Sequence, residues 1–304
     1  MNSREFGRSG IHLSPVTFGS MRLNPQRIEL ATAVDLITYL YQSGVNTFHS
    51  SHEYETDPFF CQVIQQFKAQ HPGAEVVHIA KIGVPHFDEM KFDSAKLVSL
   101  IEQRLRQLNT ERIDLVQWLV RHRPNDDQHR LTILAECQSE LALTWIKLQH
   151  EGKVGALASF PYSVPFAEAV LQFPTCQGLV TYLNLLELEM APFLDSMEQQ
   201  GQGYVAIRPL LGGAITTESF TDSANNNTHD LDLLKSIMMA LNIPVSQVTK
   251  FAVQFPLLHP AVASVMISVT SIEHAAEIVE AAQKSSDRQR FQKILKMAHS
   301  AISN

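Results

Sequence analysis

Short runs of β-branched and apolar residues alternate along the chain with longer stretches whose apolar positions recur at helical spacing. Eight such runs occur, and the alternation predicts parallel strands joined by crossover helices. Eight strand–helix units with short connections favour one closed (β/α)8 TIM barrel over an open doubly wound sheet. No G-x-G-x-x-G sequence follows any of these runs, which weakens the open-sheet alternative. The predicted strands are 16–19, 46–49, 76–81, 113–120, 154–159, 178–182, 204–208 and 263–267.

Three segments fall outside the eight units. Residues 6–11 predict an N-terminal hairpin with glycine at the turn, and residues 216–228 predict a polar loop after the seventh strand. An extra C-terminal helix is predicted at about 287–302, and residues 1–304 are expected to form a single barrel domain. The predicted helices of the eight units begin near residues 28, 58, 93, 131, 164, 190, 230 and 271.

Composition narrows the class of protein. The 304 residues are 45% hydrophobic and only 18% charged, as suits an enzyme with a large core. A net charge of −7 and a pI near 6.0 argue against a nucleic-acid or membrane-surface partner. The three cysteines show no CxxC spacing, and no apolar run reaches the roughly 18 residues of a transmembrane helix. A cytoplasmic location is therefore expected, and no sequence feature specifies an oligomeric state.

Several segments carry a family resemblance. Residues 44–54, Gly-Val-Asn-Thr-Phe-His-Ser-Ser-His-Glu-Tyr, are similar without a gap to the G-I-N-F-F-D-T-A-x-x-Y segment of aldo-keto reductases. The opening Phe-Gly-Arg-Ser-Gly, the Ile-Asp-Leu-Val-Gln of the fourth strand and the Gly-Lys-Val before the fifth also resemble that family. So do Ile-Arg-Pro-Leu at 207–210 and His-Pro-Ala-Val at 259–262. In this order and spacing, the segments resemble a divergent aldo-keto reductase with an altered catalytic tetrad.

The resemblance implies hydride transfer between a nicotinamide cofactor and an aldehyde or ketone. In that family a tyrosine gives the proton, a lysine tunes its pKa, an aspartate holds the lysine and a histidine orients the substrate. Tyr54 and Lys81 stand at the tyrosine and lysine positions, and His49 stands at the aspartate position. A histidine there removes a negative charge beside the lysine. This histidine either accepts a hydrogen bond from the lysine ammonium or relays protons itself. Alternatively, it occupies a pocket that no longer needs a catalytic group at this position.

The position of the substrate-orienting histidine is also changed. Direct alignment places Leu119 there, and three residues later His122 lies in an Arg-His-Arg-Pro sequence similar to the family's "HRPD". His122 is therefore a candidate catalytic residue after a local insertion, or a loop histidine facing elsewhere. Metal binding by His49 and His52 lacks an identifiable third ligand, so no metal site is predicted. Substrate contacts are expected from Arg22, His52 and Trp118.

The cofactor positions implied by the resemblance are partly preserved. Phe160 and Pro161 replace the family's Ser-Asn pair, Val180 stands for its glutamine, and Ile207 replaces a stacking aromatic residue. An arginine at the end of strand seven suits a pyrophosphate. The resemblance implies NADPH as the cofactor, with NADH also possible. The expected cofactor-binding residues are Gly19, Ser20, Arg208, Pro209, Leu210, Gly212, Ser268, Thr270 and Ser271.

The sequence favours the first of three functions and leaves the other two as alternatives. The first is an oxidoreductase acting on a small carbonyl compound, with Tyr54 as general acid. The second is a relative that binds a cofactor or other ligand in a regulatory role. The third is a barrel that uses His49 and Tyr54 for non-redox acid–base chemistry.

Overall fold

The chain forms a closed barrel of eight parallel strands surrounded by helices. The structure is a computed structural model and describes residues 1–87, 89–123, 126–221, 228–283 and 286–302. The strands are β1 (Arg4–Glu5), β2 (His12–Leu13), β3 (Val16–Gly19), β4 (Thr47–Ser51), β5 (Val77–Gly83), β6 (Ile113–Leu119), β7 (Val154–Ser159), β8 (Cys176–Tyr182), β9 (Gly203–Ile207) and β10 (Val262–Ile267). The helices are α1 (Leu30–Gln42), α2 (Asp57–Gln70), α3 (Ser94–Leu108), α4 (Asp127–His150), α5 (Val164–Leu171), α6 (Leu194–Gln200), α7 (Thr217–Thr221), α8 (Thr228–Ala240), α9 (Val248–Leu257), α10 (Ile272–Ala281) and α11 (Arg288–Ile302).

The strand order confirms the predicted barrel. Strands β3 to β10 pair in sequence, and β10 closes the barrel by pairing with β3. All these pairs are parallel, with Ser51 opposite Lys81 and Lys81 opposite Gln117. Because parallel strands carry their carboxyl ends to one face, these three residues lie close together at that face.

The opposite end of the barrel is closed by the N-terminal hairpin. Strands β1 and β2 pair antiparallel, and Phe6 between them is buried against the barrel interior. The fit requires glycine, because a Cβ at Gly203 would lie 2.6 Å from the Phe6 ring and 2.6 Å from the Gly7 nitrogen. The interior residues packed with Phe6 are Ile11, Leu13, Ile79, Leu115, Ala156, Ala158, Val180, Val205 and Ala263.

Helix starts follow local capping signals. The side chains of Asp93, Ser163 and Ser271 each accept a hydrogen bond from the backbone amide three residues later. Among the described helices, none is both long enough and apolar enough to span a membrane.

One connection differs from the prediction. The polar loop expected at 216–228 begins with the short helix α7, and its Asn-Asn-Asn segment at 225–227 lies outside the described residues. A single helical stretch was expected after it, but two helices, α8 and α9, are present. Helix α8 ends where Asn242 adopts a left-handed conformation with φ 52° and Pro244 follows, so the chain turns before α9.

Candidate active site

A cavity of about 780 Å³ opens at the carboxyl ends of the barrel strands. It has two parts, which differ in the elements that form them. The Tyr54 half is lined from β4 to β8 by His49, Tyr54, Lys81, Gln117, Leu119, Arg121, Phe160, Tyr162 and Tyr182. The Arg208 half is formed by the turns after β3, β9 and β10 and by helices α9 and α10. The residues that line it are Met21, Arg22, Arg208, Pro209, Leu210, Gly212, Gly213, Thr216, Thr249, Ser268, Val269, Thr270, His274, Glu277 and Ile278.

Tyr54 lies in the turn between β4 and α2. Its amide donates to the carbonyl of Ser51 at 3.0 Å, and its carbonyl accepts from the amide of Asp57 at 2.9 Å. These two bonds fix the turn between the end of the strand and the start of the helix. Burial raises the pKa of Tyr54 to about 12, so its phenol keeps its proton at neutral pH.

Lys81 contacts the tyrosine from the neighbouring strand. Its Nζ lies 4.9 Å from the centroid of the Tyr54 ring, so the ammonium faces the aromatic ring. Burial lowers the pKa of Lys81, and the positive charge of Arg121 adds to this effect. The carboxylate of Glu53 opposes both effects, with Oε2 3.3 Å from Nζ. The lysine of this site therefore has a carboxylate partner, although residue 49 does not supply it.

His49 is a neutral side chain on the cavity floor. Burial lowers the pKa of His49 to about 4, and the ring is 3% exposed. Its Nε2 lies 2.8 Å from Oε1 of Gln117, whose amide nitrogen donates to the carbonyl of Val180 at 2.9 Å. Since the Gln117 oxygen must then accept, the imidazole donates from Nε2. His49 thus takes part in a hydrogen-bonded chain across the barrel.

Aromatic rings form one wall of the Tyr54 half. The ring of Phe160 packs edge-on against Tyr162 at 5.0 Å and against Tyr182 at 5.2 Å between centroids. The guanidinium of Arg208 lies 4.9 Å from the Tyr182 ring. This contact joins the two halves, and the wall offers flat apolar surface for a planar ring.

The Arg208 half is built from backbone turns. Arg208, Leu211, Gly212 and Gly213 all have positive φ, between 46° and 107°. Successive residues in this region curl the chain into a concave turn next to the Arg208 guanidinium. That side chain is 44% exposed, and Glu187 Oε1 lies 3.3 Å from its Nη1. The side chain thus lines the cavity and is partly open to solvent.

Arg22 bridges the mouth. It lies in the 3-10 turn after β3, and its Nη2 donates to the carbonyl of Gly212 at 2.6 Å. This bond connects two strand-end turns that are far apart in sequence, on either side of the Arg208 half.

The structure brings many of the predicted site residues to this cavity. Those that line it are Gly19, Arg22, His49, Tyr54, Lys81, Arg208, Pro209, Leu210, Gly212, Ser268 and Thr270. Phe160 and Leu119 also line it, while Val180 contributes its carbonyl to Gln117.

Five predicted residues are not among the cavity-lining residues: Ser20, His52, Trp118, His122 and Ser271. Trp118 points outward, because Gln117 and Leu119 on either side of it face the barrel interior. Its indole nitrogen donates to the carbonyl of Val84 at 2.8 Å. Ser271 caps α10 instead.

His122 lies beyond the end of β6 and packs away from the cavity. Its Nδ1 is 3.0 Å from Asp126 Oδ2, and its ring lies 4.0 Å from that of His129. The sequence similarity around this residue therefore does not bring its imidazole to Tyr54.

Other residues of the Tyr54 half were not predicted from the sequence. Gln117 is the only polar residue on the inward side of β6, and strand alternation was the one signal that could have found it. Glu53 appeared only as part of the family-like segment 44–54, with no role of its own. Arg121 and Tyr182 had no motif signal.

Comparison with known proteins identifies the family. The model of the aldo/keto reductase family matches residues 15–298, so the chain belongs to this family. No protein of curated function matches the sequence significantly.

Solved structures share the fold. The holo form of the aldo-keto reductase AKR11C1 from Bacillus halodurans superposes with a TM-score of 0.75 at 17% identity, covering 98% of this chain and 96% of that one. Its apo form gives 0.71 with the same identity and coverage. PA4992 from Pseudomonas aeruginosa gives 0.62 at 18% identity, with 92% of this chain and 95% of that one covered.

Proposed function

We propose that this protein is a nicotinamide-dependent oxidoreductase that reduces an aldehyde or ketone, or runs the reverse reaction, with Tyr54 as general acid. One observation carries the proposal: the ammonium of Lys81 lies over the ring of Tyr54, 4.9 Å from its centroid, inside the cavity. Membership of the aldo/keto reductase family supports carbonyl chemistry in general.

The cavity fits a dinucleotide. A volume of about 780 Å³ lies within the usual range for cofactor sites. One half has an aromatic wall, and the other has a turn of positive-φ residues that includes Arg208. Arg208 and the turn through Gly212 and Gly213 would hold the diphosphate, since guanidinium forks suit phosphate oxygens. Phe160 and Tyr182 would flank the nicotinamide. A bound nicotinamide dinucleotide supplies the hydride.

Tyr54 supplies the proton in this proposal. Because its pKa is about 12, the phenol is protonated at neutral pH and can donate to a carbonyl oxygen that gains negative charge. The nearby Lys81 ammonium stabilises the phenolate that remains. Leu119 and Phe160 provide apolar surface around the reacting group, which limits water there.

His49 has a different role from an acid–base partner. With a pKa of about 4, its imidazole is neutral and weakly basic at neutral pH, and its ring centroid is 6.1 Å from that of Tyr54. This argues against non-redox chemistry by a His49–Tyr54 pair. We assign to His49 the fixing of Gln117 across the cavity floor.

The choice between NADPH and NADH depends on the far end of the Arg208 half. A 2′-phosphate is usually bound by Arg or Lys. Among the described lining residues from β10 and α10, none is Arg or Lys, and Glu277 is acidic. NADPH was expected from the family; we propose that NADH binds with similar affinity. The cytoplasm remains the predicted location.

The test is Tyr54→Phe, with dinucleotide affinity and turnover measured separately. Wild-type protein is titrated with NADPH and NADH by fluorescence, and a panel of aldehydes and ketones is screened for turnover. Tyr54→Phe should lower kcat by about 10²- to 10⁴-fold and leave the Kd of the dinucleotide unchanged. Tyr39→Phe, in the outer helix α1, is the matched control. Undiminished kcat in Tyr54→Phe would refute the assignment, and dinucleotide binding without any turnover would favour a regulatory role.

A further inference from the structure

The carboxylate of Glu53 lies among three cationic or ionisable side chains. Its Oε2 is 3.3 Å from Lys81 Nζ and contacts Nη2 of Arg121, while Oε1 is 3.5 Å from His86 Nε2. These partners come from β5, from the segment after it and from the end of β6. The Glu53 side chain is only 15% exposed, so solvent screens these contacts weakly.

The barrel makes space for this cluster. A Cβ on Gly83 would lie 3.1 Å from Glu53 Oε1 and 3.1 Å from Arg121 Nε. That contact is tighter than side chains normally tolerate, so glycine at this point of β5 accommodates the ion pair. The rim ring of Phe87 also covers the Arg121 guanidinium, at 5.2 Å from its centroid.

The side chain of residue 49 cannot balance the charge of Lys81 in the way that a carboxylate would. His49 is uncharged and uses its Nε2 to donate to Gln117. A neutral ring engaged in this way offers no charge to balance the ammonium. Among the described residues, the carboxylate paired with Lys81 belongs to Glu53, the residue directly before Tyr54.

We propose that Glu53 is the positioning residue that keeps Lys81 charged and in contact with Tyr54. The function of the family's aspartate has thus moved from the strand at residue 49 to the following turn. Arg121 fixes the Glu53 carboxylate in place and at the same time competes with Lys81 for it. The consequence for turnover depends on the proposed reductase function, whereas the effect on Lys81 does not.

The sign of the pH effect follows from the local charges. The titratable and charged groups facing the Glu53–Lys81 pair are His49, His52, Tyr54, His86, Arg121 and Tyr162. Glu53 raises the pKa of Lys81, whereas burial and Arg121 lower it. Without the carboxylate, Lys81 loses its proton at a lower pH. The basic limb of a pH profile that requires charged Lys81 then moves to lower pH.

The experiment compares Glu53→Gln with Glu55→Gln, an exposed glutamate two residues later. Lysines of the full-length protein are reductively methylated with ¹³C-formaldehyde, and the Lys81 resonance, assigned with Lys81→Arg, is titrated by NMR. This measurement needs no substrate. In Glu53→Gln the Lys81 titration should move to lower pH, and in Glu55→Gln it should stay. Glu53→Asp, which keeps the charge on a shorter side chain, should move it less than Glu53→Gln does.

Turnover gives a second measurement. Glu53→Gln should lower kcat on the order of tenfold or more, with its basic limb at lower pH and the dinucleotide Kd unchanged. Placing a carboxylate back on the strand with His49→Asp in the Glu53→Gln background should restore the Lys81 titration toward that of wild type. A Lys81 titration that is the same in wild type, Glu53→Gln and Glu55→Gln would overturn the proposal. A shifted titration without carbonyl turnover in any variant would refute the reductase function and leave this role of Glu53 intact.

Discussion

The two halves of the cavity are built differently. The Tyr54 half is formed by side chains on strands β4 to β8 and in the segments directly after them. Ion pairs connect some of these side chains, as Glu53 connects Lys81 to Arg121. The Arg208 half is formed mainly by turns, with four residues of positive φ from Arg208 to Gly213. In the proposed reductase, charged groups would therefore tune proton chemistry in one half, and backbone turns would receive the cofactor in the other. Substitutions of side-chain charge should consequently have different effects in the two halves.

The largest effect is expected behind the Tyr54 half. Arg104 is fully buried, with Nη1 2.6 Å from Asp57 Oδ2 and Nη2 donating to Ser50 Oγ at 2.7 Å. Ser50 follows His49 on β4, so this pair supports the strand that carries the site. Arg104→Met leaves the Asp57 carboxylate buried without its partner, which costs about 3–5 kcal/mol of unfolding free energy.

The matched substitution is Arg208→Met. This arginine is 44% exposed, and its ion pair with Glu187 is open to solvent, so about 1 kcal/mol or less should be lost. Urea unfolding followed by circular dichroism measures both free energies. Equal losses at the two positions would mean that the halves do not differ in how charge supports them.

The second prediction concerns ligand binding by the Arg208 half. Arg208→Met should weaken the dinucleotide by about tenfold or more, because hydrogen bonds between charged groups contribute about 1.5–3 kcal/mol each. Its kcat at saturating cofactor should stay near that of wild type. The control is Arg112→Met. Arg112 precedes β6, is not among the cavity-lining residues and is 51% exposed, with an ion pair to Asp114 at 3.6 Å. A fall in kcat with unchanged affinity would assign Arg208 to the chemistry of the other half.

These differences explain what the sequence could predict. Periodicity located all eight barrel strands, since each is a run of mostly buried residues. Tyr54 and Lys81 were found because they stand in motifs at the ends of strands. Glu53 was not assigned to Lys81, because the distance between a turn residue and the next strand depends on the path of the turn. Trp118 was expected to contact the substrate, whereas strand alternation directs it outward.

The backbone of the Arg208 half was harder still to predict. Gly212 and Gly213 signal a turn, but Arg208 and Leu211 adopt positive φ without being glycine. Tertiary contacts impose these conformations, such as the bond from Asn184 Nδ2 to the Arg208 carbonyl at 3.0 Å. Arg22 likewise reaches Gly212 across a gap that no local pattern encodes.

The smallest predicted effect tests the far end of the Arg208 half. Wild-type Kd values for NADH and NADPH should agree within about tenfold, because β10 and α10 place Glu277 but no described Arg or Lys in the lining. Thr270 is exposed at this end. Thr270→Arg should tighten NADPH about three- to tenfold and leave NADH unchanged, since only the former carries a 2′-phosphate. Thr270→Met is the control, because methionine is similar in length to arginine but uncharged. Since the new contact is between charged groups, the gain should shrink as salt rises from 50 to 500 mM. Equal tightening of both dinucleotides would show that residue 270 contacts the shared diphosphate, and that Arg208 does not act alone there.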